Sequence, residues 1–377
     1  TKLFTLYAGL KFLGDSLVGI RYRETDTALF LRPAGDPTLL HPDFPDQVVI
    51  RFLQKVKKPV YLYDHGWVDN AWGKGWAWDD YNEPYMAERS PLPVYGNTIR
   101  WVQEMQKPQG GDAGFEASPS VYSLPEVDWP VKFTTDTARH SFFVKRDKEE
   151  NIFRVTEGKE KYKTQDVPFI TNGVASALLL LNDTIGKPIF IRNKFSLSLS
   201  DGWKVIHSRP VDSLFRPMMY RSDNFFAEQT LLMAANESLG VMGDEFVIRE
   251  LLEGDLRGLP QKPVWVDGSG LSRMNLFTPR DFVWLLDKMS RDFGLSRMER
   301  LLPTGGVGTL GNYYKSDSSF IFAKTGSLSG VVSLSGYLIT VKGRLLIFSV
   351  LVNNYSGGGT AVRKDVETLI HAIRQRY

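Results

Sequence analysis

Cysteine is absent from this 377-residue chain. Disulfides, thiolate zinc sites and cysteine nucleophiles are therefore excluded together, while the compartment stays open. Histidine is scarce: His41, His65, His140, His207 and His371 are scattered without metal-ligand spacing, so no metal site and no zinc peptidase are expected. No Gly-x-Ser-x-Gly elbow occurs, which sets the α/β-hydrolases aside. No run approaches the ~18 uninterrupted apolar residues of a membrane span, so no transmembrane segment is expected in this chain. Nor is there an excess of one charge. With 46 basic and 43 acidic residues the net charge is +3, which gives no case for a nucleic-acid partner. What remains is an ordinary globular composition, 42% hydrophobic and 24% charged, at a length that suggests two or three domains.

Along the chain, Leu3, Leu6, Tyr7, Leu10 and Leu13 recur at helical spacing before Gly14, predicting a short, largely buried helix over residues 3–13. Residues 19–31 read as strand, and Gly35-Asp36-Pro37-Thr38 is a turn leading to a helix over 47–56. Trp67, Trp72, Trp76 and Trp78 lie among Gly and Asp in a loop-like stretch, and residues 108–130 are rich in Pro, Gly and Ser. The tryptophans suit either the core of a small domain or a sugar-stacking surface. A helix over 174–181 and a strand over 188–195 follow. Near the end, strands are expected at 320–323, 331–340 and 345–352. A last helix carries Val362, Val366, Leu369, Ile370 and Ile373 on one face, suited to lie across that sheet. The expected class is α/β (α+β), a sheet covered by helices.

Two tripeptides stand out. Ser222-Asp223-Asn224 precedes an apolar helical run that starts at Phe225, so a hydroxyl and an amide would be held at a helix start. Its plain alternative is a helix cap. Lys324-Thr325-Gly326 is read as ending a strand, with Ser327 behind it, so a cation, two hydroxyls and a bare backbone would line one groove. Its plain alternative is a strand end and turn. Either tripeptide alone arises by chance in roughly one chain in ten to twenty of this length. Their order, Ser-Asp-Asn before Lys-Thr-Gly, is that of the penicillin-binding proteins and class A β-lactamases, in which Ser-x-x-Lys comes first.

No intact Ser-x-x-Lys is present; Lys2 falls where its lysine would, and the serine is expected two positions before Thr1. At that spacing on a helix the amine shares a face with the hydroxyl and can take its proton. Further segments carry the likeness. Thr1 to Thr5 resembles the tail of the first box, Gly35-Asp36-Pro37-Thr38-Leu39 a Gly-Asp-Pro-x-Leu turn, and Gly75-Trp76-Ala77-Trp78-Asp79-Asp80 a Trp-rich box. Val266-Asp267-Gly268-Ser269-Gly270-Leu271-Ser272 and residues 302–310 are similar to later boxes. The chain thus resembles the D-alanyl-D-alanine carboxypeptidase/endopeptidase family, the class C low-molecular-mass penicillin-binding proteins, along nearly its whole length.

The resemblance implies a penicillin-binding-protein/β-lactamase-like transpeptidase domain formed by residues 1–20 and 210–377. Residues 21–209 would be an inserted region of two small, mainly β nested domains. It implies serine-type D-Ala-D-Ala carboxypeptidase or endopeptidase activity on peptidoglycan stem peptides, with β-lactam antibiotics as covalent inhibitors and no cofactor. Lys2 would be the general base, Ser222 would relay a proton to the leaving amine, and Asn224 would hold the substrate's peptide amide. Lys324 would keep the site electropositive and, lying near Lys2, lower its pKa. Thr325 and Ser327 would grip the terminal carboxylate beside Gly326, and the Ser327 N–H would form half of an oxyanion hole. The location implied is periplasmic or extracytoplasmic, reached by a signal peptide not present in this chain. Two alternatives stay open: a catalytically inactive peptidoglycan-binding homologue, and an N-terminal hydrolase using Thr1 and its own amine.

Overall fold

The computed structural model describes residues 1–63, 66–106, 118–134, 141–192 and 202–377. The chain opens on helix α1 (Lys2–Phe12), in which every residue from Lys2 to Leu10 is buried. A helix with apolar side chains all round belongs inside a core. Leu13 closes it, and Gly14 turns the chain with φ +66°.

The expected strand over 19–31 is two strands, β1 (Ser16–Glu24) and β2 (Leu29–Arg32), because Thr25 and Ala28 close a turn between them. Then come α2 (Val48–Lys55) and β3 (Val60–Tyr63). Residues 66–97 form irregular turns, as the tryptophan-rich stretch suggested. Strands β4 (Thr98–Gln106), β5 (Ser118–Leu124), β6 (Val131–Phe133), β7 (Phe143–Arg146), β8 (Phe153–Thr156) and β9 (Tyr162–Pro168) build two three-stranded sheets, ordered β5-β4-β9 and β6-β8-β7. Helix α3 (Ala175–Ile185), β10 (Ile189–Arg192) and β11 (Lys204–Pro210) follow, and the latter two complete a five-stranded sheet ordered β10-β3-β2-β1-β11. The last three positions of the strand expected over 188–195 lie outside the described residues, as does all of 108–117. One apolar cluster, from Ile20 to Ile189, joins the five-stranded sheet to the smaller sheets through Trp101, Phe153 and Phe169.

Beyond residue 210 the chain is helical: α4 (Asp212–Tyr220), α5 (Asn224–Leu239), α6 (Asp244–Glu253), α7 (Pro279–Phe293) and α8 (Leu295–Leu301). Helix α5 is buried from Phe225 through Asn236 and packs on α1. Gly9 permits that approach, since a Cβ there would lie 2.7 Å from the Phe215 ring and 2.8 Å from Thr230. The final strands β12 (Ile321–Leu328), β13 (Val331–Ile339) and β14 (Leu345–Asn353) form an antiparallel sheet, crossed by α9 (Gly359–Arg376). Alternation sorts their side chains. Leu334 and Leu338 meet Val366 and Ile370 of α9, whereas Tyr337 turns to the other face and donates to the Leu286 carbonyl of α7 at 2.6 Å. The layers are therefore helix, sheet, helix.

One expectation needs correction: Lys324-Thr325-Gly326 does not end a strand. β12 runs on to Leu328 because β13 keeps pairing with it, Thr325 opposite Leu334 and Leu328 opposite Val331, and the turn comes only at Ser329-Gly330.

Candidate active site

β12 is the edge of its sheet, and one segment covers part of that edge. Thr304 pairs with Phe322, and the Ala323 N–H donates to the Pro303 carbonyl at 2.9 Å, so the box over 302–310 covers the edge as far as Ala323. From Lys324 onward no other backbone pairs there among the described residues. An extended peptide could add itself along this open stretch.

Three segments far apart in sequence meet at this edge. Lys2, at the first turn of α1, is buried and donates to Asn224 Oδ1 at 2.6 Å and to the Ser269 carbonyl at 2.7 Å. Lys324, also buried, donates to Ser222 Oγ at 2.8 Å and to its neighbour Thr325's carbonyl at 2.7 Å. Ser222 and Asn224 flank Asp223, the cap of α5, whose carboxylate accepts from the Phe226 N–H at 3.0 Å. The cap reading is thus right for Asp223, and the cap is what orients its two neighbours. Ser222 is held at φ +59°, a left-handed conformation that costs a serine on the order of 1 kcal/mol and turns its hydroxyl to Lys324. The Asn224 amide nitrogen donates to the Tyr85 carbonyl at 3.1 Å.

The electrostatics differ from the expectation in cause. Burial brings the Lys2 pKa down to about 8, against Asp223, Glu228 and Asp267, which pull it up. Burial, not the second cation, is the main cause. It is Lys324 that feels the pair: burial first, then the charge of Lys2, push its pKa well below the ordinary lysine value.

On β12 alternation turns Lys324 toward Ser222 and leaves Thr325 and Ser327 on the face toward α9. Gly326 has a steric reason, as a Cβ there would overlap the Ser333 hydroxyl on the neighbouring strand. Ser327 is exposed and accepts at Oγ from Arg363 Nη2 at 2.9 Å.

Sequence reasoning missed the support beneath these groups. Glu228, one turn after Asn224 on α5, accepts from the Ser269 N–H at 2.6 Å, and the Ser269 carbonyl holds Lys2. Glu228 is buried, which with nearby Asp267 raises its pKa to about 7 against the pull of Arg89 and that N–H. Arg89, buried to 1% side-chain exposure, reaches Asp69 and Asp244 at 2.6 Å each and Glu228 at 3.4 Å. Asp267 gathers the N–H groups of Gly270 and Ser272 with Asn275 and the Trp76 indole, so the box over 266–272 and the Trp-rich box are tied together. Trp76 is therefore fixed in place, while Trp78 is 64% exposed with Lys148 4.9 Å from its ring. A glutamate four residues beyond Asn224 in an apolar helix was the one available signal; Arg89 gave none.

A lysine-bearing buried helix, a Ser-Asp-Asn turn and a Lys-Thr-Gly edge strand meeting on a sheet between helices define the penicillin-binding protein fold. Solved structures agree. The chain matches penicillin binding protein 4 (dacB) of Haemophilus influenzae with a TM-score of 0.76, at 19% identity, covering 99% of this chain and 90% of that one. A structure of that protein complexed with a β-lactam matches with a TM-score of 0.71, at 17% identity and the same coverage. In sequence, D-alanyl-D-alanine carboxypeptidase DacB of Haemophilus influenzae is 27% identical over 183 residues, 45% of this chain and 37% of that protein. The aligned stretch is thus little more than a third of that relative's length. The model of the D-Ala-D-Ala carboxypeptidase 3 (S13) family matches residues 1–377, and the chain belongs to that family.

Proposed function

We propose that the protein is a serine-type D-Ala-D-Ala carboxypeptidase or endopeptidase that cleaves peptidoglycan stem peptides through an acyl-enzyme and is acylated by β-lactams. The observation that carries this reading is the pairing of Lys2 with Asn224 and of Lys324 with Ser222 at one open strand edge. In this reading the nucleophile is the serine of a Ser-x-x-Lys box whose lysine is Lys2. A Lys2 with a pKa of about 8 reaches its neutral form near neutral pH and can take the serine proton as the oxygen bonds to the carbonyl carbon. The C–N bond then breaks, and the departing D-Ala amine takes a proton relayed through the Ser222 hydroxyl. Water hydrolyses the ester, returning the serine.

Asn224 holds the substrate amide, Lys324 supplies positive potential to the oxyanion, and Thr325 and Ser327 hold the terminal carboxylate with Gly326 leaving room. The serine N–H and the Ser327 N–H form the oxyanion hole. Residues 1–20 and 210–377 form the catalytic domain in this reading, and 21–209 an insert of two nested units sharing one apolar cluster. The substrate places the protein outside the cytoplasmic membrane; no helix among the described residues is long and apolar enough to cross one.

The test is covalent labelling of the native full-length protein by a fluorescent penicillin, whose ring mimics the acyl-D-Ala-D-Ala bond. A label mapped to the Ser-x-x-Lys serine is expected, and its absence on folded protein would sink the proposal.

A further inference from the structure

Arg363 lies on α9, one turn past its start and outside the Ser-Asp-Asn and Lys-Thr-Gly motifs. Its Nη2 donates to Ser327 Oγ at 2.9 Å. Among the described residues no carboxylate pairs with this half-buried guanidinium. Arg363 and Thr325 line one cleft between α9 and β12, together with Gly326, Ser333 and Tyr313.

The hydrogen-bond chemistry is directional. A guanidinium only donates, so Arg363 occupies a lone pair of the Ser327 oxygen and leaves the Ser327 O–H free to donate outward. Thr325, two residues away on the same face of the strand, presents a second hydroxyl. Two hydroxyl donors beside an unpaired cation with spare N–H groups form a site for a planar anion that only accepts, namely a carboxylate.

We propose that Arg363 is the specificity residue that selects peptides ending in a free carboxylate, by orienting the Ser327 hydroxyl as a donor and placing its charge over the substrate terminus. This rests on the peptidase reading above and adds to it the reason an acyl-D-Ala-D-Ala end would be preferred to the same peptide with its terminus blocked. Replacing Arg363 leaves Lys2, Asn224, Ser222 and Lys324 untouched.

The experiment is calorimetric binding of an acetylated peptide ending in D-Ala-D-Ala, and of its C-terminal carboxamide, to the chain and to Arg363→Gln and Arg363→Lys. The unmodified chain is expected to prefer the carboxylate. Arg363→Gln should lose roughly ten- to hundredfold in affinity for the carboxylate peptide and little for the amide, and Arg363→Lys should restore part of the difference. Equal losses on both peptides, unchanged binding of both, or failure of the unmodified chain to bind either would overturn the proposal. Penicillin labelling of the full-length protein reports on the peptidase reading separately, so a labelled enzyme without carboxylate preference refutes only the role of Arg363.

Discussion

Arg89→Met keeps a long apolar stem and deletes the charge that three buried carboxylates share. In the folded protein Arg89 lies within 3.4 Å of Glu228, Asp244 and Asp69. Burial by itself would lower the Arg89 pKa, but the carboxylates together raise it. In return the guanidinium restrains the rise that burial imposes on Glu228, at about 7, and on Asp244, at about 6. Without it both carboxyl groups move further up.

A group whose folded pKa exceeds its unfolded value contributes stability that is complete below the unfolded pKa and lost as pH rises through the folded one. Both carboxyl groups are of this kind, so the deficit of the variant relative to wild type must grow with pH. Near pH 5 both are protonated in the variant, and lost hydrogen bonds cost about 1–2 kcal/mol. At pH 8 the deficit should reach about 3–5 kcal/mol, the cost of removing one partner from a buried ion pair. Thermal melts of variant and wild type at both pH values measure this. Acylation should fall as well, because Glu228 carries the Ser269 backbone that holds Lys2. A deficit equal at both pH values, or below ~1 kcal/mol at pH 8, would show that the carboxylates do not depend on Arg89.

Lys324→Ala should slow penicillin acylation of the full-length protein by two to three decades, about 3–4 kcal/mol, with a melting temperature unchanged or raised because a buried cation is removed. Near wild-type acylation would remove Lys324 from the site. The acylation rate should climb with pH as Lys2 loses its proton, reach half its maximum near pH 8 and level off above about pH 9; a profile flat from pH 6 to 9 argues against Lys2 as the base. Gly268→Ala places a Cβ 2.6 Å from the Ala227 carbonyl oxygen, so it should destabilise the protein by about 1–3 kcal/mol, read as a lowered unfolding midpoint, while Gly14→Ala, with no neighbouring atom near its Cβ, meets only backbone strain at φ +66°.

The sequence by itself determined the elements that rest on local patterns and the motifs that carry chemistry. Helix α1 followed from its leucine spacing, β13 from alternation, β14 from an apolar run after a glycine turn, and α9 from the stripe containing Val366 and Ile370. Lys2, Ser222, Asn224 and Lys324 could be chosen because the order and make-up of their short motifs resemble those of the penicillin-binding proteins, although both lysines lie buried. Tertiary structure alone decided the rest. The length of β12 depends on its pairing with β13. That Lys2 is tuned by burial rather than by Lys324 depends on how deeply α1 lies, which no pair of residues encodes. Arg89 meets Glu228 across 139 residues, and Arg363 meets Ser327 only because α9 folds back over the sheet. Such contacts leave no periodic trace, since a charge satisfied by distant partners looks locally like any surface residue.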